Sequence, residues 1–114
     1  MADIELRFLS DEAFIQAVAS EFSSDDSAEV GKPEVVSDPT DLGFDFSIVF
    51  ALVTLVSELF FEGPIVPALR HAIRRTKPRR VRIESPFGTV TFEPSDDMSD
   101  DELRALMQRL VASL

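Results

Sequence analysis

Cysteine, tryptophan and tyrosine are absent from the 114 residues, histidine occurs once and glycine four times. The first absence excludes disulfides, thiolate metal sites and cysteine nucleophiles, and it fits a reducing compartment. The one histidine, His71, stands among arginines, whereas a triad or an imidazole metal site needs partners of other kinds. Four scattered glycines build no phosphate-cradling loop. The sequence therefore offers no catalytic residue, no cofactor site and no metal site, and the chain reads as a non-enzyme. No aromatic lies between residues 62 and 86, so the one basic stretch lacks the stacking side chains of single-strand binders. The opening MADIELRFLSDEAF has neither the basic start nor the apolar stretch of a signal peptide, which implies a cytoplasmic protein.

Charge is abundant but unevenly spread. The net charge is −10. Residues 1–69 hold 14 acids and two bases, residues 70–82 hold seven bases and no acid, and residues 83–114 hold seven acids and two bases. An acidic body with one basic band has little bulk affinity for nucleic acid or anionic lipid, while the band can meet something local. Its members are Arg70, Arg74, Arg75, Lys77, Arg79, Arg80 and Arg82. The plainest reading makes them a helix end and a strand entry balanced by the protein's own acids. The functional reading makes them a charged docking patch for an acidic protein. Asp96, Asp97, Asp100, Asp101 and Glu102 lack the alternating ligands and central glycine of a calcium loop, and read as charge at a helix N-terminus.

One long apolar run stands out, FDFSIVFALVTLVSELFF from Phe44 to Phe61. It is apolar almost all round, so it must hide in a core, in a partner or in a membrane. A buried helix ended by Gly63-Pro64 is the leading expectation. A membrane span is the less favoured one, since the stretch is marginal in length and Glu58 interrupts it. A partner groove or homodimer face would be anchored by Phe44, Phe46, Phe50, Phe60 and Phe61.

The other elements are more local. Ile4-Glu5-Leu6-Arg7-Phe8-Leu9 opens with the alternation of a half-buried strand. Ser10 is the expected N-cap of a helix whose apolar face is Phe14, Ala17, Val18 and Phe22. Residues 23–43 form an acidic, loop-rich segment in which Glu34-Val35-Val36 makes a short edge strand. Residues 44–77 read as a long broken helix, with Val66, Leu69, His71, Ala72 and Ile73 in its second piece and Pro78 as its stop. In residues 80–93, two alternating stretches flank Ser85-Pro86-Phe87-Gly88, a β-hairpin. Residues 99–113 form a C-terminal helix with a capping box, Ser99 with Glu102, and an apolar stripe of Leu103, Leu106, Met107, Leu110 and Leu114. This order predicts a single α+β domain, a small antiparallel sheet of three to four strands with helices packed on one face.

The opening MADIELRFLS, a Gly-containing loop before an apolar helix, LRHAIRRTKPRRVRIESPFGTVTFEP and the closing SDDELRALMQRLVASL together span nearly the whole chain. This pattern resembles the effector-associated constant component family, small domains of bacterial conflict systems. The resemblance implies a non-enzymatic adaptor that couples a separate effector, such as a protease-like or TIR-like protein, to its sensor. The central run departs from that family in being richer in Phe, Val and Leu and poorer in Gly and Ala. The expected role is thus protein–protein interaction, with an effector or sensor as partner or a second copy as a homodimer. The expected contact residues are Arg74, Arg75, Lys77, Arg79, Arg80, Phe50, Phe60 and Phe61. Two alternatives stand beside it. One is an acidic immunity or antitoxin-type protein that neutralises a basic toxin through segments 21–45 and 93–102. The other is a small protein attached to a membrane by residues 44–61.

Overall fold

Strict alternation in the first strand puts Ile4, Leu6 and Phe8 on one face of the sheet and Glu5 and Arg7 on the other, and the rest of the fold is laid against that division. The computed structural model describes residues 3–23, 28–42, 44–56, 65–94 and 98–110. In chain order the elements are β1 (Asp3–Ser10), α1 (Glu12–Ser23), β2 (Ala28–Val30), β3 (Glu34–Val35), a 3-10 turn (Pro39–Leu42), β4 (Val49–Val56), α2 (Ile65–Thr76), β5 (Val81–Ser85), β6 (Gly88–Phe92) and α3 (Asp100–Leu110). The α+β class is as expected, but the sheet has six strands rather than three or four.

The strand order is β2-β4-β1-β5-β6, with β3 also on β4, and every pairing is antiparallel. β2 and β3 follow one another along the same edge of β4. The register shifts by one residue between Val30↔Val53 and Glu34↔Phe50, so Lys32-Pro33 forms a bulge in an otherwise continuous edge. The unit β1–α1–β2 encloses β4, and the unit β4–α2–β5 encloses β1. These are two interleaved split β-α-β units, a ferredoxin-like connectivity extended by β6 and α3.

The Phe44–Phe61 run is not a helix where the structure describes it: Val49–Val56 is a strand, paired along its whole length with β1. Its β-branched Val49, Val53, Thr54 and Val56 favour extended backbone. Its apolar residues on both sheet faces mimic the all-round hydrophobicity of a buried helix. Residues 57–61 lie outside the described residues. The long broken helix expected over 44–77 thus contains β4 and, after residues not described, the helix Ile65–Thr76. Among the described residues no helix is long and apolar enough to cross a membrane.

All three helices pack on the same side of the sheet. Phe14, Ile15, Val18 and Phe22 of α1, Leu69 and Ile73 of α2, and Leu103, Met107 and Leu110 of α3 bury themselves against Leu6, Phe8, Ala51, Val53, Val81, Ile83 and Val90. Each such side chain contributes about 1.5–3 kcal/mol by leaving water. The expected face of α1 is buried, and so are Val66, Leu69, Ala72 and Ile73 of α2 and Leu103, Met107 and Leu110 of α3. His71, expected on the α2 face, is instead exposed, Leu106 is half-buried, and Leu114 lies outside the described residues.

The helix ends also follow local chemistry, with one exception. Ser99 Oγ accepts the Glu102 N–H at 3.2 Å, the N-cap half of the expected capping box, and donates to Glu102 Oε1 at 3.4 Å. Lys77, in the left-handed region at φ 49°, donates its N–H to the Ile73 carbonyl at 2.8 Å and ends α2 before Pro78. Ser10, expected to cap α1, instead belongs to β1 and is fully buried, donating to the Arg80 carbonyl at 2.7 Å. The residue that precedes α1 is Asp11, whose carbonyl accepts the Ile15 N–H at 3.1 Å. The hairpin forms as expected, with Ser85 Oγ accepting the Phe87 and Gly88 N–H groups at 3.1 and 3.2 Å.

Candidate functional site

With the helices on one face, the opposite face of the sheet carries the residues that strand alternation points away from the core. The register sets them in three rows across the strands. The first is Glu29–Thr54–Glu5, the second Leu52–Arg7–Glu84–Thr89, and the third Glu34–Phe50–Leu9–Arg82–Thr91. One end of this face is covered. Phe44 and Ile48, on the approach to β4, bury Leu9, and Val36, Phe46 and Phe50 pack around them. The remainder is open, and no described element packs over the first two rows.

A charge ladder runs through the open part. Arg7 Nη1 and Arg82 Nε reach the two oxygens of the Glu84 carboxylate at 3.3 and 2.8 Å. The Arg7 guanidinium also lies over the Phe50 ring, 4.3 Å from its centroid, a cation–π contact worth about 0.5–1 kcal/mol at a partly exposed site. Its Nε is buried and has no hydrogen-bond partner among the described residues. Both arginines of the face thus share one glutamate, which offsets one of their two charges. Glu5, Glu29 and Glu34 form no ion pair among the described residues.

An apolar spot sits inside this frame. Leu52 is 37% exposed, an unusual value for the centre of a strand paired on both sides. Beside it on the edge is Gly31, which donates its N–H to the Leu52 carbonyl at 2.7 Å and offers no side chain to cover the leucine. Next to Leu52, on the β1 side, a depression of about 260 Å³ is lined by Glu5, Arg7, Leu52, Glu84, Ser85 and Pro86. A second hollow, about 290 Å³, lies among Asp45, Phe46, Arg79, Arg80 and Glu93 at the covered end.

The residues expected to bind a partner are spread over several surfaces. Arg75 lies 3.9 Å from Glu21 of α1, Arg80 is bound to Glu93 at 2.9 Å, and Arg79 stands over the Phe46 ring at 4.2 Å. Lys77 is the α2 terminator, with its own further contact. Arg74 is exposed and has no ion pair among the described residues. Phe50 lies on the open face beneath Arg7. Phe60 and Phe61 are outside the described residues. Most of the basic band is therefore tied to the protein's own acids and rings, Arg70 to Asp100 at 2.7 Å included.

His71 Nδ1 meets Glu21 Oε1 at 2.5 Å, a link between α1 and α2 on the far side of the sheet from the open face. Among the described residues no group of three metal-ligating side chains forms. Glu29 and Glu34 fall in the acidic segment 21–45 expected to meet a basic toxin, whereas Glu5, Arg7 and Leu52 were not singled out from the sequence as contact residues. The signal that could have found them is the alternation of Phe50, Leu52 and Thr54, which becomes visible once β4 is counted with a period of two.

No protein-family model matches the chain, and no curated protein and no solved structure matches it either.

Proposed function

We propose that the protein is a non-enzymatic interaction module that docks a protein partner on the open face of its sheet. The observation that carries this reading is the uncovered part of the sheet's outer face, where Leu52 is 37% exposed in a hollow framed by Glu5, Arg7 and Glu84. A small apolar centre with a polar rim is the ordinary anatomy of a protein interface. The basic band is a weaker candidate, because Arg70, Arg75, Arg80 and Arg82 already meet the protein's own acids. The resemblance to effector-associated constant components implies an adaptor role of this kind, coupling an effector to its sensor.

The test is co-purification of the tagged chain from its own cells, with partners identified and then compared between variants. Leu52→Lys should lose the identified partner, while Arg74→Glu with Arg75→Glu should keep it. The reverse pattern would move the docking surface to the basic band.

A second reading, an acidic immunity-type protein, is favoured by one specific observation. Glu29 and Glu34, inside segment 21–45, project from exposed positions beside the apolar centre. On that reading the same face binds a toxin, and substitution of those two residues abolishes protection in cells.

A further inference from the structure

We propose that the partner surface received by the open face is cationic, with lysines or arginines around an apolar centre; this rests on the docking role given above. The face carries four carboxylates, Glu5, Glu29, Glu34 and Glu84, and two cations, Arg7 and Arg82. Glu84 is in contact with both cations, and four carboxylates against two arginines leave the face with a net charge of −2. Glu5 and Glu29 flank Thr54 in one row, and Glu34 stands beside Phe50 two rows away, so three carboxylates without cations surround Leu52. Lys32 sits on the bulge of the same edge and pairs with none of them.

The uncharged centre gives the charges something to frame. Gly31 leaves Leu52 uncovered, and the adjoining depression is lined by Leu52 with two carboxylate residues, Glu5 and Glu84, against one cation, Arg7. A long basic side chain matches this arrangement, since its methylenes lie on an apolar floor while its head reaches a carboxylate at the rim. A second copy of this chain does not match it. Two copies would face each other with unpaired glutamates and with a net charge of −10 apiece. An acidic partner is repelled for the same reason.

Titration of the full ¹⁵N-labelled chain with synthetic peptides tests the assignment, using an alternating lysine–valine hexamer, its glutamate–valine counterpart and a threonine–valine control. The lysine peptide should shift the amides of Glu5, Leu52, Thr54 and Glu29 saturably, and its binding should weaken as salt is raised. Glu5→Gln with Glu29→Gln and Glu34→Gln, all on exposed positions, should lower its affinity about tenfold or more. Gly31→Leu, which keeps every charge but covers Leu52, should lower it as well. Unchanged affinity in the triple variant, or shifts confined to Asp100, Asp101 and Glu102, would overturn the proposal. Equal binding of the glutamate peptide to the face would overturn the cationic preference and leave the docking role standing. No shift on the face with any of the three peptides would bring down both.

Discussion

Gly31 and Leu52 are joined by a 2.7 Å backbone hydrogen bond, and a methyl group built on Gly31 would rest 3.6 Å from the Leu52 Cβ. That is ordinary contact distance, and the Gly31 backbone lies outside the left-handed region. Nothing in the fold requires a glycine there. The exposure of Leu52 is therefore a property of the sequence at position 31 rather than of backbone strain.

Gly31→Ala should stabilise the protein. A side chain at a compatible backbone position removes freedom from the unfolded chain, which is worth about 0.4–1 kcal/mol. Urea denaturation should show a higher midpoint with an unchanged slope. A loss of stability would mean that the edge needs the glycine for a reason other than leaving Leu52 open.

Ser99→Ala should destabilise the protein by about 1 kcal/mol through loss of the acceptor for the Glu102 N–H. Ser99→Asp should restore most of that, because a carboxylate also accepts at an N-cap and suits the positive helix end. Thermal unfolding of the three proteins reads both effects.

Phe14→Ala should be far more damaging. Phe14 is fully buried between α1 and the sheet, and removing a ring from such a site costs about 3–5 kcal/mol. A cost below about 1 kcal/mol, read from denaturant unfolding, would contradict the helix layer described above.

Arg7→Met should change stability by no more than about 1 kcal/mol in either direction. The substitution gives up the Glu84 pair and the cation–π contact with Phe50. It also removes the buried, unpaired Nε, whose desolvation is unfavourable. A loss well above 1 kcal/mol in chemical denaturation would show that the ladder is a stability element rather than a surface feature.

The parts of the fold that were legible in the sequence are those fixed by neighbours in the chain. Ser85-Pro86-Phe87-Gly88 carries its turn chemistry within four residues, and the Ser99–Glu102 box does the same for α3. The apolar stripe of α1 is likewise visible at helical spacing. β4 was not legible, because Phe44 and Ile48 cover one end of its outer face while the helices cover the inner one. A strand apolar on both sides has no period to distinguish it from a buried helix. Ser10 misled for a related reason. Its hydroxyl is claimed by the Arg80 carbonyl, 70 residues away, and no local rule reports that. The candidate site was hidden along with β4, since its rows depend on which strands are neighbours. Ile4-Glu5-Leu6-Arg7 announced a face that looks away from the core, but not that Glu29 and Leu52 would share it.

The measurement that tests the central claim most directly is the affinity of a purified cellular partner for two variants of this protein. Leu52→Lys puts a cation at the apolar centre of the open face, and the combined Arg74→Glu and Arg75→Glu substitutions reverse charge at the end of α2, away from that face, and remove the Arg75–Glu21 contact. The account predicts a loss of at least about tenfold for the first and little change for the second. Undiminished binding by Leu52→Lys would contradict it.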